Sequence, residues 1–258
     1  MYKNEYLPTK CWFEDGVLKR AYFVHDEDCW DTPRNWDNLS IIVNAGYRHY
    51  DIGGRKDEKT DDIEEWLINA TGINEDWYWA NKERYGGIEG LIEKFRKEKC
   101  AAFQYLSVYD HSSITVFCGY ARGWDYSAIG FAYIPKDNEE VKSYRKTHSK
   151  KETDEWAEKM IKGEIHILDQ YVRGEVYGCV IDTYNEEEED WEEHTDSCWG
   201  YYLNDETCES EEKDAIEIIK EFSGHDTKLY DMEEIETAIE NGTLDVLNGQ
   251  ILLFKEMA

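Results

Sequence analysis

Asp110, His111 and Ser112 stand side by side in Tyr109–Thr115 (YDHSSIT). A histidine beside a carboxylate and a hydroxyl can act as a general base or hold a metal ion. Asp125, in WDYSAIGFAYI, and Asp169, in DQYVRGEVYG, could complete a cluster. Asp110, His111, Asp125 and Asp169 together would suit a metal-assisted hydrolase acting on a nucleotide or signalling molecule. A competing reading rests on geometry. Neighbours on a strand point to opposite faces, so Asp110 and His111 need not serve one substrate. The same tetrad can close a turn, with Asp110 and Ser112 bonding backbone amides. Trp36-Asp37, Trp124-Asp125 and Cys198-Trp199-Gly200 carry the same ambiguity. Tryptophan beside an acid can imitate bases and phosphates, but a Trp near a turn commonly belongs to the core with its N–H bonded. No GxSxG, HExxH, P-loop or dinucleotide-binding glycine pattern occurs. His25, His49, His166 and His194 lack ligand spacing with cysteine, and no calcium-loop motif is present. Neither metal nor cofactor is expected.

The elements that would position these groups read as α+β: a mixed, strand-rich core with peripheral helices and a small acidic C-terminal α+β module. Val17–His25 (VLKRAYFVH) reads as a strand after the Asp15-Gly16 turn, and residues 39–43 could form another. Residues 60–70 and 88–99 show helical spacing of apolar residues, the first through Ile63, Trp66, Leu67 and Ala70. Between them NEDWYWANKERYGG reads as an aromatic loop. Residues 102–109, 113–118 and 127–134 are strand-like. A helical stretch over 139–165, interrupted near His148, carries a Ser149/Glu152 capping box. Residues 170–184 and 197–203 read as a hairpin joined by the acidic connection 185–196. Helices over 211–222 (Ile216, Ile219 and Phe222 inward) and 231–241 (Met232, Ile235, Ala238 and Ile239 inward), then a strand over 250–254, complete the chain. The expected domains are 1–205 and 206–258.

Charge is the most uneven property of the sequence. Residues 182–258 hold 25 acidic and 4 basic side chains, against 33 and 25 in residues 1–181. Like charges repel in a compact state, so such a surplus implies a use, and attraction of a basic partner is the obvious one. Halophilic adaptation fits poorly: 20 lysines remain and the charge is regional. Three elements concentrate it. Glu186, Glu187, Glu188, Glu189, Asp190, Glu192 and Glu193 form a run. Asp214, Glu217 and Glu221 share one helical face, and Glu233, Glu236 and Glu240 share another. Duplex DNA carries one charge per about 1.7 Å, so the net −29 matches roughly 50 Å of duplex.

Several segments resemble a widespread family of uncharacterised proteins from bacteriophages and other mobile elements of Firmicutes and actinobacteria. They are Asp31–Leu39 (DTPRNWDNL), Tyr109–Thr115, Trp124–Ile134, Asp169–Gly178 and Asp196–Gly200 (DSCWG), and they span roughly residues 20–203. Where that family commonly continues its second motif through a Gly-Pro-rich stretch, this chain reads VFCGYARG. The resemblance implies a mobile-element origin and no defined chemistry. With the charge it leads to one expectation: an anti-defence protein whose DNA-mimicking surface binds a basic, nucleic-acid-binding host protein, a CRISPR effector or restriction enzyme. Direct contact with nucleic acid is not expected, and a homodimer would lengthen the acidic surface.

The N-terminal residues lack an apolar leader-like run and no stretch is long and apolar enough to span a bilayer, so a cytoplasmic location in the host cell is expected. Seven cysteines without a CxxC pair read as reduced, mostly buried thiols.

Overall fold

Val17–His25, Cys100–His111 and Tyr177–Asn185 are long strands with buried residues on both faces, as inner strands covered by helices on both sides require. The computed structural model describes residues 4, 6–45, 52–244 and 246–248. Two compact units result, one from Met1–Cys29 with Gly174–Ala258, the other from Trp30–Arg173. The protein is α+β, with a five-stranded sheet in each unit.

The strands are β1 (Lys10–Glu14), β2 (Val17–His25), β3 (Ile41–Asn44), β4 (Glu58–Lys59), β5 (Cys100–His111), β6 (Ser113–Cys118), β7 (Tyr126–Pro135), β8 (Tyr177–Asn185), β9 (Asp190–Tyr201) and β10 (Tyr230–Asp231). The helices are α1 (Ile63–Thr71), α2 (Glu75–Tyr85), α3 (Gly87–Lys99), α4 (Glu139–Tyr144), α5 (Lys150–Arg173), α6 (Cys208–Ser223) and α7 (Met232–Glu240).

In the unit formed by the chain ends, the sheet runs β10-β1-β2-β8-β9, antiparallel throughout. Register places Trp12, Ala21, Phe23, Cys179 and Ile181 on one face, where Ala215 and Ile219 of α6 cover them. Cys11, Phe13, Leu18 and Tyr184 point to the opposite face, against Ile235 of α7. The inward stripe of α6 is Ala215, Ile218, Ile219 and Phe222; Ile216, expected inside, is not part of it. The stripe of α7 is the expected one.

In the other unit the order is β4-β3-β7-β5-β6; β3 and β4 pair in parallel, and β3 with β7, β7 with β5 and β5 with β6 pair antiparallel. Ala157, Ile161, Ile165 and Leu168 of α5 recur at helical spacing and are buried on one face against Leu106, Val108 and Val116. Each larger aliphatic chain so buried contributes about 1.5–3 kcal/mol. Leu67, Tyr78, Leu91 and Phe95 of α1, α2 and α3 cover Phe103, Phe131 and Tyr133 on the other face. Ser149 and Glu152 make the expected reciprocal cap before α5.

Four expectations need revision. The aromatic segment after Ile73 is helix α2, not a loop: Asn74 accepts the Trp77 N–H, Glu75 and Asp76 occupy the first turn, and Gly86 closes the end at φ 91°. Residues 170–173 finish α5 and do not begin a strand. The acidic stretch 190–196 is strand, and only residues 186–189 turn. Finally, α6 and α7 close the two faces of the sheet built by β1, β2 and β8. Residues 206–244 therefore belong to that core, and the chain is interrupted by residues 30–173, not divided at 205/206. The strand expected over 250–254 and His49 lie outside the described residues.

Candidate functional site

Three of the four candidate catalytic residues meet at one end of the second sheet. Ser112, at φ 68°, turns the chain between β5 and β6. His111 Nδ1 lies 3.8 Å from Asp125 Oδ1, and the Asp125 carbonyl accepts the Asp110 N–H at 2.9 Å. Register sends His111 to the face of Tyr109 and Asp110 to the face of Ile114, as strand alternation requires. Asp169 is elsewhere. It sits on α5, accepts the Val116 N–H at 2.7 Å and pairs with Arg173 at 3.0 Å, occupying an outward backbone donor of edge strand β6. Burial raises its pKa, opposed by the Val116 amide and Arg173. The four residues therefore do not share one substrate position. Among the described residues no group of three or more His, Cys, Asp and Glu could hold a metal ion.

The acidic elements belong to the first unit. Glu186, Glu187, Glu188 and Glu189 are exposed in the β8–β9 turn, which Asn185 organises by accepting the Glu187 and Glu188 N–H groups, and Asp190 is exposed at the start of β9. Glu192 and Glu193 are exposed on β9. A bulge follows, where His194 at φ 56° donates its N–H to buried Asp182 at 2.9 Å. Among the described residues no ion pair engages Glu186–Asp190, Glu192 or Glu193. Glu233, Glu236 and Glu240 line the outer side of α7. Turn and α7 share a cluster: Tyr184 and Trp191 pack with Ile235 and Met232. Burial raises the Tyr184 phenol, and Glu189, Glu186 and Asp190 raise it further.

Helix α6 lies across the sheet from α7, so its carboxylates do not continue that surface. Asp214 is half-buried and accepts the Asn204 N–H at 3.0 Å. Glu217 pairs with Lys220 at 2.9 Å, which lowers its pKa. Glu221 is exposed near Tyr201 and adds to the burial that raises that phenol. Of the three acidic elements, the β8–β9 connection and α7 flank one hydrophobic cluster, while α6 packs on the opposite face of the sheet.

The resembling motifs contain residues whose structural work the sequence reading missed. Arg34, in DTPRNWDNL, is almost wholly buried; it bonds Asp57 through two nitrogens at 2.9 and 2.8 Å and the Ser40 carbonyl at 2.8 Å. Glu164 of α5 lies 3.4 Å from it and accepts the Leu39 and Ser40 N–H groups. Asp57 also accepts from Ile42 and Gly54. Arg20 similarly pairs with Asp182 at 2.8 Å, its guanidinium 4.3 Å from the Trp191 ring centre. Gly178 lies under Trp199, and a Cβ there would come within 2.2 Å of the ring. An arginine gives no sequence signal of burial; the one hint was its place in a Thr32-capped, proline-started turn. Trp36, Trp124 and Trp199 are exposed, unlike core tryptophans.

No helix among the described residues is long and apolar enough to cross a membrane. Comparison of the chain with protein-family models, with curated proteins and with solved structures gave no match in any of the three.

Proposed function

We propose that this protein is an anti-defence factor of a bacteriophage or mobile element, and that its acidic unit occupies the basic nucleic-acid channel of a host defence effector. One observation carries the reading: the β8–β9 turn and the first residue of β9 present five consecutive exposed carboxylates, and the strands that carry them share a hydrophobic cluster with α7, whose outer side is lined with carboxylates. Ordered anions at that density offer a channel of lysine and arginine what a phosphate backbone offers, release of counterions and long-range attraction. The partner is a CRISPR effector or a restriction enzyme, since both hold DNA in such channels. The target is a protein; DNA, carrying the same sign of charge, is repelled.

Competition with duplex DNA for a purified effector tests this. Inhibition should fall steeply between about 50 and 200 mM salt, with a log–log slope of several units. Reversal of Glu186, Glu187 and Glu188 to Lys, or of Glu233, Glu236 and Glu240, should weaken inhibition at least about ten-fold, each reversed contact losing up to about 1 kcal/mol in water. Reversal of Glu139, Glu140 and Glu155, exposed on the other unit, should leave it unchanged. Inhibition indifferent to salt would refute the electrostatic mechanism.

A further inference from the structure

Cys179 on β8 and Cys198 on β9 are directly opposed in register. Both are free thiols. They lie within the regular stretch between two register shifts, where Gly178–Ile181 faces Asp196–Trp199. Opposed residues of antiparallel strands point to the same side with Cα atoms about 4.5–5.5 Å apart, inside the roughly 4.4–6.8 Å range of disulfides. The two sulfurs differ in access. Cys179 is wholly buried among Phe23, Ile181 and Ala215, and burial pushes its thiol up to about 12. Cys198 is exposed, and the Tyr201 side chain hydrogen-bonds to it.

We propose that Cys179 and Cys198 form a reversible cross-strand disulfide site, closed by a hydroperoxide that reacts at exposed Cys198. The Cys198 thiolate attacks the peroxide; the O–O bond breaks, an alcohol or water departs, and a sulfenic acid remains. The Cys179 sulfur then attacks that of Cys198. The S–S bond forms, the S–O bond breaks, and the departing hydroxide takes the Cys179 proton as water. Two thiols are oxidised by two electrons and one peroxide is reduced. A small thiol reverses the step by exchange. Burial of Cys179 makes closure slow and leaves Cys198 the sulfur that senses the oxidant. The bond would staple β9, an edge strand of its sheet, to β8, and close the loop that carries Glu186–Asp190, Glu192 and Glu193. The inference is independent of what that loop binds.

The test uses the full chain, hydrogen peroxide, alkylation of remaining thiols and a non-reducing peptide map. The expected product is a peptide linked through Cys179 and Cys198, two hydrogens lighter than its reduced parts and separated by dithiothreitol. Cys198→Ser, at an exposed position that folding tolerates, should abolish the link. Cys179→Ala should stop at a Cys198 sulfenic acid that a 1,3-dione traps. Wild-type protein that accumulates oxidised Cys198 while Cys179 remains alkylatable would overturn the proposal. So would a bond from Cys198 to Cys208, the other exposed cysteine.

Discussion

Each unit is a five-stranded sheet with helices on both faces, yet residues 1–29 and 174–258 carry 32 acidic and 8 basic side chains where residues 30–173 carry 26 and 21. Both interiors hold an arginine clamped to a buried aspartate: Arg20 with Asp182 in one, Arg34 with Asp57 in the other. The units differ instead at their surfaces. In the second, exposed acids commonly meet a lysine one turn away, as Glu139 meets Lys142, Asp154 meets Lys150 and Glu155 meets Lys151. In the first, the turn and α7 accumulate carboxylates with 8 cations in the whole unit. The near-neutral unit shows that this kind of architecture does not require surplus charge. The architecture therefore does not account for the surplus, which is the reason the proposed partner is placed on the acidic unit.

The comparison can be broken first at the interiors. Arg34→Met should destabilise the protein by about 3–5 kcal/mol, because it breaks an almost wholly buried ion pair and takes the guanidinium from both Asp57 and Glu164. Arg20 is partly exposed, where Arg34 is not, so water can replace part of what its loss removes and Arg20→Met should cost only about 2 kcal/mol. Urea unfolding monitored by tryptophan fluorescence measures both, and equal losses would erase the distinction.

Glycine substitution should give a smaller pair of opposite effects. Gly178→Ala forces Trp199 off the β8 backbone and should cost about 1–3 kcal/mol in thermal or urea melts. Gly163→Ala, on the open side of α5 with nothing within 4 Å, should add up to about 1 kcal/mol.

The smallest effect is a slope. Asp169 has a pKa raised above its ordinary 3.8, chiefly by burial. The folded state therefore holds this proton more tightly than the unfolded chain, and the contribution of Asp169 to stability falls as pH rises from about 3.8 through the folded-state value. Asp169→Asn should lack that decline when urea midpoints are compared across this window. An unchanged slope would remove Asp169 from the acid-side behaviour of the second unit.

The sequence by itself determined most elements, because periodicity is local. β2 matches its expected span residue for residue, β6 likewise, and the α7 stripe of Met232, Ile235, Ala238 and Ile239 is the one that is buried. Composition located the charge. Helix α2 escaped because its three tryptophan and tyrosine residues before Asn81 lie on several sides of the helix, and only Tyr78 is buried. Strand β9 escaped because its acids suggest a loop, while pairing with β8 made it a strand. Long-range packing alone decided the rest. It set α6 and α7 on opposite faces of one sheet, parted Asp169 from His111, buried Arg34 against Asp57, and opposed Cys179 to Cys198. Pairs so far apart in the chain leave no local pattern, since the contact energy that joins them exists only once the intervening residues have folded.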